Sequence, residues 1–275
     1  MEPYLLAVAK QCVAFLYREE VDGDALKKKA IGTCFFAGRA TEERKSVYLV
    51  TAKHVYKELI QGDGQIYVRL NVSGPAGGVD YIPLPTEGWV THADDEVDLI
   101  VLPWFPFIQN ARVSRDVSGT IMSLPIEVIA SAPRYAAEID KPWPPDECEQ
   151  VFFVGLLLQH EGTERNYPVF RMGHIALNTD ELIDFEVGRS RYRLIESQCY
   201  KGNSGAPVWV YYEEPGQRTR WVFLGVLTLG FRSEPDLFHG QNTFSFGISA
   251  VVPGEYLVEV LTGLEREPDA SLRSG

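Results

Sequence analysis

Cysteine, histidine and long apolar runs are scarce in this 275-residue chain. The four cysteines, Cys12, Cys34, Cys148 and Cys199, form no Cys-x-x-Cys pair, and no His/Cys cluster has zinc spacing. No apolar run approaches the ~20 residues that span a bilayer. Met1-Glu2-Pro3 opens acidic, and Leu5 to Ala9 is too short for a secretory leader. These absences lead us to expect a cytoplasmic protein with reduced thiols and no membrane partner. Basic residues are outnumbered, 26 Lys and Arg against 38 Asp and Glu, for a net charge of −12, which argues against nucleic acid as a partner. No phosphate-binding loop and no Gly-x-Ser-x-Gly elbow occurs.

What is present is enough for a core: 45% of residues are hydrophobic and 12% aromatic. The length suits one large domain or two. Residues 4–18 begin with helix formers and pass into a run that periodicity assigns to neither helix nor strand. Short β-rich runs then recur at 31–38, 47–52, 65–72, 79–83 and 97–104, separated by turn residues. Prolines break the pattern between 105 and 146, where we place the link between two halves. The β style returns at 150–159, 167–177, 191–196, 208–212, 221–229 and 242–252. Tyr256, Leu257, Val260, Leu261 and Leu264 then share one face of a C-terminal helix. Many short strands at this spacing predict an all-β sandwich or barrel.

One stretch stands out for chemistry: Lys201-Gly202-Asn203-Ser204-Gly205-Ala206-Pro207. A serine hydroxyl becomes a nucleophile when a base takes its proton and donors hold the oxyanion it creates. The same residues also make an ordinary turn. Five histidines could supply the base: His54, His92, His160, His174 and His239. His54 follows Leu49-Val50-Thr51-Ala52, at a strand end that can present it to a cleft. Asp98 immediately precedes Leu99-Ile100-Val101-Leu102, so burying it there requires a partner such as a histidine N–H.

Taken together, Gly32-Thr33-Cys34 with Val50-Thr51-Ala52-Lys53-His54, then Asp98-Leu99-Ile100, then Gly202-Asn203-Ser204-Gly205 resemble the three catalytic segments of trypsin-like (chymotrypsin-fold) serine proteases, in their His…Asp…Ser order. Phe223 to Gly230 resembles the strand lining their specificity pocket. The resemblance covers most of residues 30–264. It implies two six-stranded antiparallel β-barrels, with a short N-terminal segment and a C-terminal helix. Residues 1–118 would hold the first barrel with His54 and Asp98, and residues 119–275 the linker, the second barrel with Ser204, and the helix. It further implies a serine endopeptidase acting on polypeptides with Ser204 as nucleophile, His54 as base and Asp98 as its orienter. The N–H groups of Gly202 and Ser204 would form the oxyanion hole, and neither cofactor nor metal is needed.

The departures matter too. Asn203 stands where the secreted, zymogen-derived enzymes have an aspartate that receives a new N-terminal ammonium. A neutral side chain cannot make that ion pair, so Asn203 resembles the bacterial-type and HtrA-type branches, here without a PDZ-like domain. By the same alignment Gln198, Cys199, Thr228, Leu229, Gly230 and Gly247 line the specificity pocket. It lacks a fixed carboxylate, and a small, apolar or amide side chain is expected there. Lys201 borders the cleft, either as a solvated lysine or as a group favouring acidic substrates. Two other readings stand beside the peptidase: a catalytically silent protease-like binding module, and an effector latent until a protein partner orders its cleft.

Overall fold

The computed structural model describes residues 3–23, 25–40, 45–72, 78–104, 123–138, 140–212, 220–232 and 245–266. Helix α1 (Pro3–Gln11) leads into β1 (Val13–Asp22), which forms a long hairpin with β2 (Ala25–Ala40). β3 (Lys45–Thr51) pairs with β2, and α2 (Lys53–Leu59) follows at once. Then come β4 (Ile66–Asn71), β5 (Val79–Pro83), β6 (Val90–Thr91) and β7 (Ile100–Pro103). The sheet runs β5-β4-β1-β2-β3-β7-β6, and the short β8 (Leu124–Pro125) adds parallel to β2. Two short helices, α3 (Ile126–Ala130) and α4 (Ala132–Glu138), lie between the halves.

The second half is a closed barrel of six strands in the order β10-β13-β16-β15-β14-β9. These are β9 (Gln150–Gly155), β10 (Val169–Leu177), β13 (Arg193–Glu196), β14 (Pro207–Tyr212), β15 (Arg220–Arg232) and β16 (Ser245–Pro253). A separate two-stranded hairpin, β11 (Ile183–Phe185) with β12 (Gly188–Ser190), pairs with none of the barrel's strands and packs Ile183 and Phe185 against the core. Helix α5 (Gly254–Arg266) closes the described chain, burying Leu257, Val260 and Leu261.

The expectation of two closed barrels therefore holds for one half only. Among the described residues the first sheet is open between β5 and β6. The reason is local. β6 has two residues, β5 ends in Pro83, and Pro85 follows, so two backbone donors that a closing ladder would use are missing. The expected domain boundary after residue 118, and His239, lie outside the described residues.

Three apolar clusters explain why the strands read as they do. Ala14, Leu16, Ile31, Cys34 and Phe36 fill the concave side of the first sheet. Val151, Phe153, Ile195, Val208, Leu224 and Val251 fill the closed barrel. Phe15, Phe35, Val50, Leu99, Phe152, Leu156, Phe223 and Val252 form a third layer between the two. β1 is buried on both faces, with Val13, Phe15 and Tyr17 on one side and Ala14 and Leu16 on the other. A strand buried on both faces shows a continuous apolar run rather than alternation. This layer holds the ends of β2 and β3 against the loop before β14, where the candidate nucleophile sits.

Candidate active site

His54 does not end a strand as expected. β3 stops at Thr51, and His54 lies in the first turn of α2, after Ala52 as the N-cap. That position exposes its backbone N–H, one of the donors a helix start leaves without a partner in the helix. Asp98 takes it: Oδ1 accepts from His54 N at 2.8 Å. The same carboxylate faces the ring, with His54 Nδ1 to Asp98 Oδ2 at 2.7 Å. An ionised carboxylate only accepts, so the contact places a proton on Nδ1 and leaves Nε2 to act as base. A third donor, the Thr228 hydroxyl, also bonds Asp98 Oδ2.

Asp98 is 1% exposed. Burial pushes its carboxyl up. The His54 ring, by hydrogen bond and by charge, the Thr228 hydroxyl and the His54 backbone N–H outweigh that and hold it below its usual value. A buried carboxylate with three donors is thus kept ionised, and the imidazole is fixed in one tautomer.

Ser204 is carried by the turn that enters β14. Gly205 N donates to Leu227 O at 2.8 Å, and Leu227 N donates to Ala206 O at 2.8 Å, so the ladder with β15 sets Ser204 beside Thr228. Gly205, at φ +87°, is required by space as well as by its dihedral. A Cβ there would stand 2.0 Å from Thr33 O and 2.3 Å from Thr51 Oγ1. The first sheet therefore touches the serine loop directly. Thr33 N donates to Ser204 O at 3.0 Å, and Thr33 Oγ1 donates to Gly202 O at 2.6 Å.

Asn203 is 2% exposed and works in both directions. Its Oδ1 accepts from Tyr200 N at 2.9 Å, and its Nδ2 donates to Leu156 O at 2.6 Å. Its own N–H closes a turn on Tyr200 O at 3.0 Å. A neutral amide, a threonine hydroxyl and a glycine at φ +99° (Gly202) thus shape the interior of this loop with no buried ion pair. Among the described residues the N–H groups of Gly202 and Ser204 have no protein acceptor. Two such donors on one turn can hold an oxyanion.

The Ser204 hydroxyl does not donate to His54. It donates to the backbone carbonyl of Thr228 at 2.6 Å, and among the described residues no hydrogen bond joins Ser204 to His54. Both line one cleft of ≈ 380 Å³, with Val55, Glu58, Phe185, Glu186, Cys199, Tyr200, Lys201, Gly202, Leu227, Thr228, Leu229 and Gly230. The expected pocket residues divide. Cys199, Lys201, Thr228, Leu229 and Gly230 lie on the lining, whereas Gln198 and Gly247 do not. Gln198 Oε1 accepts from Tyr200 OH at 2.8 Å, and Gly247 O accepts from Ser197 N at 2.6 Å. Lys201 is paired with Glu58 of α2 at 2.8 Å, across the rim. Burial pushes the Cys199 thiol up to about 11 against the Ser249 hydroxyl and Arg171, which lower it.

Sequence reasoning missed two things. Thr228 was read as a pocket wall, and it holds both Asp98 and Ser204. The β11–β12 hairpin, which brings Phe185 and Glu186 to the cleft, is the other, although Ile183, Phe185 and Val187 alternate with Asp184 and Glu186, a strand signal that could have found it. The other described histidines are engaged elsewhere: His92 bonds Glu259 at 2.8 Å, His160 stacks on Tyr167, and His174 lies opposite Glu196 in β10. Among the described residues no group of three or more His, Cys, Asp or Glu side chains is placed to hold a metal. No described helix is long and apolar enough to cross a membrane.

No family model matches the chain, and no curated protein does. Among solved structures, Rv3671c from M. tuberculosis H37Rv, described as a serine-to-alanine mutant in an inactive form, is similar at 12% identity and a TM-score of 0.47, over 98% of this chain and 97% of that one.

Proposed function

We propose that the protein is a serine endopeptidase of the chymotrypsin type, hydrolysing peptide bonds through Ser204, His54 and Asp98. One observation carries this reading: a fully buried, thrice-bonded carboxylate orients an imidazole into the same cleft as a serine set on a turn with two free N–H groups. In this reading the Ser204 hydroxyl swings from Thr228 O to His54 Nε2. Its oxygen attacks the substrate carbonyl while the proton passes to Nε2. The Gly202 and Ser204 N–H groups receive the negative oxygen. His54 then gives its proton to the leaving amine, and the acyl-enzyme is hydrolysed by water activated in the same way. Asp98 stabilises the imidazolium without taking a proton. Asn203 in place of an aspartate supports a bacterial-type reading, HtrA-like members included, in which the nucleophile loop needs no N-terminal ammonium. Four unbridged thiols support a reducing, cytoplasmic setting.

The cleft rim, spanned by the Lys201–Glu58 pair and bordered by Phe185 and Glu186, favours a second reading, an enzyme that is latent until a protein partner opens the cleft, with the Ser204 bond to Thr228 O adding only a small bias. A fluorophosphonate probe tests the first reading. It is expected to label wild-type protein and not Ser204→Ala or His54→Ala. A wild type that stays unlabelled and cleaves no member of a random peptide library, with or without partner proteins from its own cell, would leave only the silent binding module.

A further inference from the structure

We propose that Arg69, in the first sheet, is a positioning residue for the oxyanion loop of the second barrel, acting through the segment between β9 and β10. The proposal rests on the peptidase reading for its kinetic arm and on geometry alone for its structural arm.

Arg69 is 2% exposed on β4 and meets no carboxylate within ion-pair distance among the described residues. Its guanidinium grips three successive carbonyls instead: Nη1 donates to Glu161 O at 3.1 Å, and Nη2 to Gly162 O at 2.5 Å and Thr163 O at 3.1 Å. The rings of Tyr17 and Tyr81 flank it, 6.0 and 5.8 Å from its central carbon. Tyr17 OH donates to Glu161 Oε2 at 2.5 Å. Further along, Asn166 Nδ2 donates to Arg69 O at 2.7 Å, and Asn166 N to Asn71 Oδ1 at 2.8 Å. Residues 161–166 are thus fastened to the first sheet by a buried cation and two amides.

The other end of this segment is the support of the nucleophile loop. Leu156 O receives the Asn203 amide, and Leu156 N donates to Thr33 Oγ1 at 2.9 Å. Leu156 and Leu158 fill the space under Gly202, where a Cβ would stand 3.0 Å from Leu158 Cγ and 3.3 Å from Leu156 Cδ2. A turn closed by His160 N on Leu157 O joins the two ends, so only a few residues separate the clamp from the support. Arg69 is a fork suited to several planar acceptors, and a lysine ammonium is not. A loop whose one ion pair, Lys201–Glu58, lies at the exposed rim would thereby borrow rigidity from a buried cation in the first sheet.

Three proteins test this: Arg69→Lys, Asn203→Ala and the double variant. Arg69→Lys is expected to lower kcat and the fluorophosphonate labelling rate about tenfold with little change in KM, and Asn203→Ala about a hundredfold, as for loss of oxyanion stabilisation. Residues without shared partners act additively. Here the double variant is expected to be no slower than Asn203→Ala by more than about threefold, because both lie on one path. Additive losses, or a loss confined to KM, would overturn the proposal. The second arm needs no turnover. In Ser204→Ala protein, adding Arg69→Lys should speed amide hydrogen exchange at 202–205 and leave β13 unchanged. Unchanged exchange at 202–205 would overturn the proposal even if the peptidase reading stood. Faster exchange in a protein that never turns over would sink the peptidase reading and keep the coupling. Should Arg69→Lys fail to fold, Tyr17→Phe takes its place, since it removes only the hydroxyl between Arg69 and Glu161 and is read by the same two arms.

Discussion

Replacing Thr228 with valine removes one hydroxyl and keeps the shape, the backbone carbonyl and the strand. Asp98 would then lose one of three donors while remaining 1% exposed, with no water to substitute. A hydrogen bond to a charged group contributes about 1.5–3 kcal/mol, so Thr228→Val is expected to destabilise the protein by that amount at neutral pH. The dependence on pH follows from the depressed carboxyl of Asp98. A group whose folded pKa lies below its unfolded value adds stability above the unfolded value of 3.8, and that stability is lost as pH falls through the folded one. Thr228→Val weakens the depression, so the gap between wild type and variant should be full at neutral pH and narrow below 3.8. Urea denaturation across that range reads both. A neutral-pH loss under about 0.5 kcal/mol, or a gap that widens on acidification, would refute the view that Thr228 helps keep Asp98 ionised.

Other expectations follow from the same geometry. Asn203→Asp would turn a carboxylate oxygen toward Leu156 O, where an amide now donates, and is expected to destabilise by about 2–4 kcal/mol and slow labelling. Denaturation with Asn203→Ala alongside separates that repulsion from simple loss of the bond. Arg193 pairs both oxygens of Glu255, at 2.7 and 3.1 Å, and donates to Leu224 O at 2.9 Å. Arg193→Leu should cost about 1–3 kcal/mol, chiefly the donor lost to buried Leu224 O, because the Glu255 side chain is 42% exposed and water can take its carboxylate. Thiol alkylation followed by mass spectrometry should find exposed Cys148 modified first in native protein. Cys12, whose thiol burial pushes up to about 12 against a backbone hydrogen bond that lowers it, should react only on unfolding.

How far the sequence could be read depended on what each residue interacts with. The closed barrel's strands carry their signal locally, as apolar runs bounded by turns, and each expected run overlaps an observed strand, although ends differ by up to four residues, as at β9, which stops at Gly155 rather than 159. His54, Asp98 and Ser204 are singled out by their places near strand ends together with an order that resembles the protease family's, and the structure brings all three together. What failed depends on pairing across space. The first sheet was expected to close, yet closure hinges on whether β5 can meet β6, and only the loss of donors at Pro83 and Pro85 argues against it. β1 could not be assigned because it is buried on both faces. Thr228 hid in an apolar strand, and its role exists only because a ladder sets it between Asp98 and Ser204. Arg69 carries no local signal on β4, because the carbonyls it holds lie more than ninety positions later.

The two parts of the candidate machinery rest in different states, and their energies differ. The candidate oxyanion loop is held by Thr33, Asn203 and Leu156, all buried, with half-buried Leu158 beneath Gly202, so reshaping it means breaking several bonds that water cannot readily replace. The serine hydroxyl is turned aside by one bond to Thr228 O. Exchanging one hydrogen bond for another is worth about 0.5–1.5 kcal/mol net, at most roughly a tenfold bias against the reactive rotamer. A bias that small slows an enzyme without silencing it. If the protein does prove latent by a factor of a thousand or more, roughly 4 kcal/mol, the hydroxyl's resting place cannot be the cause. The block would then have to lie in access to the cleft, where the Lys201–Glu58 pair spans the rim and Phe185 and Glu186 stand on the β11–β12 hairpin, which packs on the core but joins no barrel strand.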